Sequence, residues 1–128
     1  GRARTPTAVL VTRGDRYAAE LLEELRERTP GIRILCAGKL PSGTAEKLSL
    51  RDALAPAERR GRGNAYARGG WWLHDRILTD TALTVIRADV FARRDLLDPR
   101  SGTPLPTYRR QRYTGGIGRY FPIFLYIK

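Results

Sequence analysis

The sequence has few of the residues on which whole classes of protein depend. Only one cysteine, Cys36, and one histidine, His74, occur among its 128 residues. A single cysteine excludes a framework of internal disulfide bonds, and one cysteine with one histidine cannot supply a cysteine–histidine metal site. The longest apolar run, from Phe121 to Ile127, is far shorter than the roughly 20 residues of a membrane-spanning helix. We therefore expect neither a disulfide-stabilised chain nor a membrane protein.

The single cysteine lies in the apolar segment Ile32-Arg33-Ile34-Leu35-Cys36. A thiol in such a run is usually buried and packs as a small hydrophobic group, whereas reactive thiols lie in electropositive, partly exposed places. The pattern favours an inert strand thiol over a reactive one.

Acidic residues are scarce compared with basic ones. The chain has 24 Lys and Arg against 13 Asp and Glu, which gives a net charge of +11. Residues 91–128 contain eight basic and two acidic residues, so more than half of the excess lies there. Such a field attracts polyanions, either a nucleic acid or an acidic protein partner.

Short apolar runs alternate with one amphipathic segment, and this order indicates an α/β (α+β) chain. A first helix is predicted after Asp15, which can cap it, and ends at Thr29-Pro30-Gly31; a second, short helix is predicted from Ser49 to about Pro56. The predicted strands are 8–11, 32–36, 71–79, 83–91 and 121–127. The predicted loops are 38–43, 57–70 and 92–116. We predict a single domain, 1–128, with helices packed on one face of one mixed sheet.

The last predicted strand is apolar on both faces. Phe121, Ile123 and Leu125 share one face, and Phe124 and Tyr126 share the other. A strand that is apolar on both faces is covered on both faces, and one layer of helices covers only one. We therefore expect a second α/β layer, supplied by a homodimer mate or by another chain.

Three segments of the chain carry further patterns. The first is Gly38-Lys39-Leu40-Pro41-Ser42, followed by Ser49-Leu50-Arg51-Asp52. The second is Gly63-Asn64-Ala65-Tyr66-Ala67-Arg68-Gly69-Gly70-Trp71, followed by Asp75-Arg76-Ile77. The third is Thr107-Tyr108, then Tyr113-x-Gly115-Gly116-x-Gly118-Arg119-Tyr120-Phe121-Pro122-Ile123. In this order and at this spacing, over about residues 8–128, they resemble the C-terminal half of the endonuclease/exonuclease/phosphatase superfamily.

The corresponding superfamily motifs are Gly-Asp-Phe-Asn, Gly-Thr-Tyr-x-Tyr-x-Gly-x-Trp-x-x-x-Asp-Gln-Ile and Tyr-x-Gly-Gly-x-Ser-Asp-His-Phe-Pro-Val. The resemblance implies half of a four-layer α/β sandwich and an ancestral magnesium-dependent phosphoesterase. It also implies that most catalytic positions are replaced. Lys39 and Pro41 stand for the Asp and Asn of the first motif, and Arg119 and Tyr120 for the Asp and His of the third. Asp75 alone keeps the family residue, the aspartate that orients that histidine.

The replacements argue against hydrolysis by this chain alone. Lys39 and Arg119 put cations where a metal cluster needs anionic oxygen ligands, so no metal or other cofactor is expected. Three functions stay open. The first is a non-catalytic binding or structural subunit, and the second is a magnesium-dependent phosphodiesterase or nuclease completed by another chain. The third is a basic protein associated with nucleic acid.

A candidate binding surface interleaves basic and aromatic residues, as surfaces for single-stranded RNA or DNA do. Its members are Lys39, Tyr108, Arg109, Arg110, Arg112, Tyr113, Arg119 and Tyr120. The alternative interpretation is that these residues fill or solvate an inactive cleft. His74 and Asp75 are adjacent in a predicted strand and should point to opposite faces, so we do not expect them to act as a pair.

Overall fold

A computed structural model describes residues 5–91, 97–100, 102, 108–109, 112–113 and 120–128. The helices are α1 (Ala18–Arg28), α2 (Thr44–Leu48) and α3 (Ala55–Arg59). The strands are β1 (Thr7–Arg13), β2 (Arg33–Lys39), β3 (Arg51–Asp52), β4 (Ala65–Ala67), β5 (Gly70–Trp72), β6 (Arg76–Thr79), β7 (Val85–Val90), β8 (Tyr108–Arg109), β9 (Arg112–Tyr113) and β10 (Ile123–Ile127). A small mixed α+β chain with a multi-stranded sheet and few helices is thus confirmed.

The largest sheet has four strands in the order β1-β2-β6-β3. Strands β1 and β2 are parallel, from Thr7 opposite Arg33 to Arg13 opposite Lys39, while β6 runs antiparallel to both β2 and β3. The sheet is therefore mixed, as predicted. The remaining strands form the two-stranded sheets β10-β7, β4-β5 and β8-β9.

Helix α1 supplies the apolar cover for one face of the four-stranded sheet. Its Ala19 and Leu22 join a buried cluster that also contains Ile34, Cys36, Leu48, Leu50 and Leu78. The helix begins later than predicted, because Asp15 accepts a hydrogen bond from the N–H of Tyr17 at 2.8 Å and so forms a turn before the helix. It ends at Arg28, with Thr29 as its C-cap, in front of Gly31, whose φ of 84° suits glycine.

The predicted helix from Ser49 to about Pro56 is wrong. Ser49 has a φ of 53° and ends α2, and the N–H of Leu50 donates to the carbonyl of Ala45 at 2.8 Å. Arg51–Asp52 then pairs with β6 as β3, and Pro56 lies in the first turn of α3, where proline costs no hydrogen bond. The burial of Leu48 and Leu50 fixes this arrangement, since both belong to the core.

Three further predictions need correction. The single strand predicted at 71–79 is divided into β5 and β6 by Leu73–Asp75, so His74 and Asp75 lie in a connection and not on a strand. The loop predicted at 57–70 contains most of α3 and all of β4. The predicted loop at 38–43 begins late, because β2 continues through Lys39.

The chain divides into two compact units. The first comprises Gly1–Leu54, Asp75–Arg87 and Leu125–Lys128, and it contains the four-stranded sheet with α1 and α2. The second comprises Ala55–His74 and Ala88–Phe124, and it contains α3 and the hairpins β4-β5 and β8-β9. None of the helices in the described part of the chain has the length and hydropathy that crossing a membrane requires.

Candidate functional site

The β4-β5 hairpin is the frame of the candidate site in the second unit. Its two turn residues, Arg68 and Gly69, have φ values of 51° and 78°, and two consecutive positive φ values are typical of the tight turn that joins twisted antiparallel strands. The turn sets the register, in which Tyr66 lies opposite Trp71 and Ala65 opposite Trp72. The hairpin therefore carries three large aromatic side chains on six strand residues.

Asn64 ties this hairpin to two neighbouring segments of the second unit. Its side chain is fully buried; Oδ1 accepts the N–H of His74 at 2.8 Å, and Nδ2 donates to the carbonyl of Phe121 at 3.2 Å. Its backbone carbonyl accepts the N–H of Phe121 at 2.7 Å, and its N–H donates to the carbonyl of Trp72 at 3.0 Å. A buried amide with these bonds holds the surrounding aromatic residues in fixed positions.

Three rings form a group that we call the aromatic stack: Trp72, His74 and Tyr120. The rings of His74 and Tyr120 lie parallel, with centroids 4.0 Å apart and planes 10° apart. The ring of Trp72 meets His74 edge-on, at 5.1 Å and 76°. Trp72 is 47% exposed and Tyr120 is 37% exposed, so both offer ring surface to solvent.

A second aromatic group contains Tyr66, Trp71 and Phe121. Trp71 meets Tyr66 edge-on at 5.4 Å and lies against Phe121 at 5.8 Å with the planes 30° apart. Phe121 is only 1% exposed. Trp71 and Trp72 are adjacent in β5, so the two groups lie on opposite faces of that strand.

The second unit, which carries these rings, is rich in arginine. The second unit contains eleven arginines, no lysine and four acidic residues, so it carries a net +7 of the total +11. Five of these arginines lie in exposed positions of the described part: Arg59, Arg60, Arg62, Arg68 and Arg100. Arginine binds phosphate through two parallel hydrogen bonds and also stacks on flat rings, which lysine does not do.

Asp89 fixes the position of two of these arginines. Its side chain is 7% exposed; Oδ1 lies 2.6 Å from Arg62 Nε, and Oδ2 lies 3.5 Å from Arg60 Nη2. Burial raises the pKa of Asp89, but the hydrogen bond from the Val90 N–H and the charges of Arg62 and Arg60 lower it more, so the pKa lies below its usual value. Arg62 Nη2 also donates to the carbonyl of Val90 at 3.2 Å.

The residues of the predicted catalytic positions are spread over both units. Lys39 is exposed at the end of β2, Pro41 follows it in the loop before α2, and Asp75 is half-buried; all three belong to the first unit. Tyr120 belongs to the second unit and is part of the aromatic stack. Arg119 lies outside the described residues.

The other predicted binding residues lie at the β8-β9 hairpin. Tyr108 is paired with Tyr113, and Arg109 with Arg112, so like residues occupy opposite positions in the register. Arg110 lies between these strands and outside the described residues.

The first unit has an open cavity of about 320 Å³ beside Pro41. It is lined by the loop and helix residues 40–46 and by Asp52, Arg76 and Leu78. Asp52 Oδ2 accepts a hydrogen bond from Arg76 Nη1 at 3.1 Å, which pairs the carboxylate with a cation. Over the part of the chain that the structure describes, no three His, Cys, Asp or Glu side chains are grouped closely enough to hold a metal ion.

Sequence reasoning did not identify the residues that organise the second unit. It assigns no role to Trp72 or Asp89, quotes Asn64 only as part of a motif, and expects no pairing of His74 with Asp75. A usable signal was present, because Tyr66, Trp71, Trp72 and His74 lie within nine residues. No family model matches the chain, and neither a curated protein nor a solved structure matches it.

Proposed function

We propose that the chain is a non-catalytic binding subunit that holds single-stranded nucleic acid on its second unit. The observation that carries this proposal is the aromatic stack, in which Trp72 and Tyr120 are partly exposed and held against His74. Bases of a single strand stack on such rings, at about 1–3 kcal/mol per base, whereas bases of a duplex are already stacked on each other.

The charge of the second unit supports the same ligand. The unit has a net charge of +7, and all eleven of its basic residues are arginine, the side chain that pairs best with phosphate. The exposed Arg60 precedes the hairpin in sequence and the exposed Arg68 lies in its turn, so this unit supplies cations for a phosphate backbone that crosses the rings. No helix of the described part of this unit is longer than the five residues of α3, so we expect little reading of base edges and weak sequence preference.

We further propose that the chain is a divergent relative of the C-terminal half of the endonuclease/exonuclease/phosphatase superfamily. This part rests on the three ordered motifs and on the mixed sheet. Lys39, Pro41, Arg119 and Tyr120 replace the catalytic residues, so binding would proceed without cleavage. A second α/β layer, from a homodimer mate or from another chain, would complete the sandwich.

Binding is tested by titrating fluorescently labelled single-stranded RNA, single-stranded DNA and duplex DNA at two salt concentrations. We expect the single strands to bind more tightly, with log K falling by about 0.7 per log unit of salt for each phosphate neutralised. Trp72→Ala should weaken binding by about 5- to 150-fold, which corresponds to the loss of one stacked base. The matched control is Tyr17→Ala, since Tyr17 is a 58% exposed aromatic residue of the first unit.

Two results would refute this proposal. One is undetectable binding at low salt, and the other is equal binding by the Trp72→Ala and Tyr17→Ala variants. A double charge reversal, Arg110→Glu with Arg112→Glu, reports separately on the predicted basic segment. If it alone abolishes binding, the ligand lies on that segment and not on the aromatic stack.

The retained Asp75 is the one observation that favours a phosphodiesterase completed by another chain. The two proposals are separated by assaying the chain with magnesium and with manganese on RNA, abasic DNA and a generic bis-phosphate ester. We expect no metal-dependent turnover, because the ligand and base positions are replaced. Turnover that Asp75→Ala abolishes would establish the catalytic alternative.

A further inference from the structure

A cavity in the second unit lies on the face of β5 opposite the aromatic stack. Its volume is about 180 Å³, and its lining includes Trp71, Phe121, Val90, Leu97, Gly63 and Arg62. The cavity is distinct from the aromatic stack, because none of the three stacked rings lines it.

The walls of this cavity suit one flat ring. Trp71 and Phe121 contribute aromatic surface, and Val90 and Leu97 contribute aliphatic surface. An apolar cavity of about 150 Å³ in another protein holds a benzene molecule, so 180 Å³ gives room for a single planar ring system. Phe121 and Val90 are buried, at 1% and 3% exposure, so these walls are part of the packed interior.

One charged group stands among these apolar walls. Arg62 is held by two contacts, Nε to Asp89 and Nη2 to the Val90 carbonyl. A guanidinium has five N–H donors, more than these two contacts use, and its fixed plane presents the others in a set direction. Arg62 and Arg60 with Asp89 sum to one positive charge, which suits a ligand that carries an anionic group.

We propose that this cavity binds a nucleotide, with the base between Trp71 and the aliphatic walls and the phosphate on Arg62. A nucleotide contains both a flat ring, which the apolar walls can hold, and an anionic group, which Arg62 can bind. The net +7 of the second unit raises the local concentration of such anions. A free mononucleotide and a base at the end of a bound strand share this chemistry. The inference rests on the cavity and does not require the surface site on Trp72.

The test uses Trp71 as its own reporter. The chain has two tryptophans, so Trp72→Phe leaves Trp71 as the sole tryptophan, which can be excited apart from the six tyrosines, and keeps an aromatic ring in the stack. Adenosine monophosphate, adenosine and ribose 5-phosphate are titrated separately into this variant. We expect the nucleotide to change Trp71 emission in a saturable way, the nucleoside to bind at least tenfold more weakly, and ribose 5-phosphate to give no saturable change.

Two variants test the assignment of the cavity. Leu97→Phe narrows it from a half-buried position and should weaken nucleotide binding at least tenfold. Arg62→Lys keeps the charge but loses the planar fork, so it should weaken binding of the nucleotide more than binding of the nucleoside. Circular dichroism of each variant confirms that the fold is intact, and Tyr17→Ala serves as the matched surface control.

The outcomes distinguish a free nucleotide from a base of a bound strand, and the cavity from the aromatic stack. Saturation by the mononucleotide identifies a free nucleotide as sufficient, whereas a response only to an oligonucleotide identifies a strand-borne base. The proposal would be overturned if neither the mononucleotide nor the oligonucleotide changed Trp71 emission. It would also be overturned if both cavity variants bound the nucleotide as tightly as the parent does. Loss of oligonucleotide binding in Trp72→Ala with nucleotide binding retained would show that the two sites are independent.

Discussion

At the scale of single residues, Asp89 shows how one buried carboxylate arranges a basic surface. It accepts the N–H of Val90 at 2.8 Å and lies between Arg62 and Arg60, so the arginines are oriented before any ligand arrives. Because the side chains are already oriented, less conformational entropy is lost when a ligand binds. The same contacts make Asp89 important for stability.

Replacement of Asp89 with Asn should destabilise the chain by about 1–2 kcal/mol at neutral pH. The buried carboxylate loses its charge, but the arginines are 41% and 58% exposed and remain solvated, which limits the loss. The pKa of Asp89 in the folded chain lies below the ordinary 3.8, so its stabilising contribution is full above about pH 4 and is lost as the pH falls further. Urea unfolding of both proteins at pH 7 and pH 3 measures this.

The difference in unfolding free energy between the parent and Asp89→Asn should therefore shrink at pH 3. Glu27→Gln, at an exposed position on α1, is the control and should change stability by less than about 0.5 kcal/mol. A difference that stays constant from pH 7 to pH 3 would contradict the role assigned to the Asp89 charge.

Cys36 is a buried group of the opposite kind, because its surroundings are apolar and burial alone shifts its pKa. It is fully buried in the apolar core, and burial raises the pKa of its thiol to about 11. At pH 8 only about one molecule in a thousand carries the thiolate, so the native chain should not react with a disulfide reagent within an hour. The unfolded chain in guanidinium chloride should react with one equivalent, and rapid labelling of the native chain would contradict the strand assignment.

At the scale of elements, the β4-β5 hairpin depends on a close approach of two backbones. The Cα of Gly63 lies so near Trp72 that an added Cβ would be 2.6 Å from the Trp72 nitrogen. This approach accompanies the hydrogen bond from Asn64 N–H to the Trp72 carbonyl, and so it positions the ring of Trp72.

Gly63→Ala should therefore destabilise the chain by about 2 kcal/mol or more, because backbone on both sides must shift. Gly70→Ala in the same hairpin is the matched control, since a Cβ there meets nothing within 4 Å. The control should be neutral or up to about 1 kcal/mol more stable, because alanine loses less backbone entropy than glycine. Thermal unfolding of both variants measures the difference; equal effects would show that the close approach is not required.

The same hairpin shows which parts of the structure a sequence can reveal. Strands β1 and β2 and helix α1 were predicted because each is determined by its own apolar pattern. The break between β5 and β6 was not predicted, because it depends on Asn64, which binds the N–H of His74 across the hairpin. The aromatic stack was missed for a similar reason, since His74 and Tyr120 are far apart in the chain and their contact is set by Asn64 and its bonds to Phe121. Non-local hydrogen bonds leave no periodic trace.

At the scale of the whole molecule, the first unit presents an exposed apolar surface on its edge strand. Strand β1 is at the end of the four-stranded sheet, and its Val9 and Val11 are 64% and 75% exposed. They share one face with their β2 neighbours Leu35 and Ala37, while Leu10 on the other face packs against the core. An exposed edge strand with apolar side chains is a site where chains associate. The sequence pattern instead predicts an apolar surface at the last strand, where Phe121 is buried but Tyr126 is 58% exposed.

We predict that the isolated chain self-associates at micromolar concentration through the sheet face that carries Val9 and Val11. Replacing Val9 and Val11 together with Lys should give a folded monomer, because two charges cannot be buried at an interface without partners. Tyr126→Lys probes the alternative face on β10, where Tyr126 is 58% exposed, and should leave the association unchanged. Sedimentation equilibrium of the three proteins decides between these faces. A parent chain that sediments as a monomer and unfolds cooperatively would show that the edge needs no second layer, and dissociation by Tyr126→Lys alone would move the interface to β10.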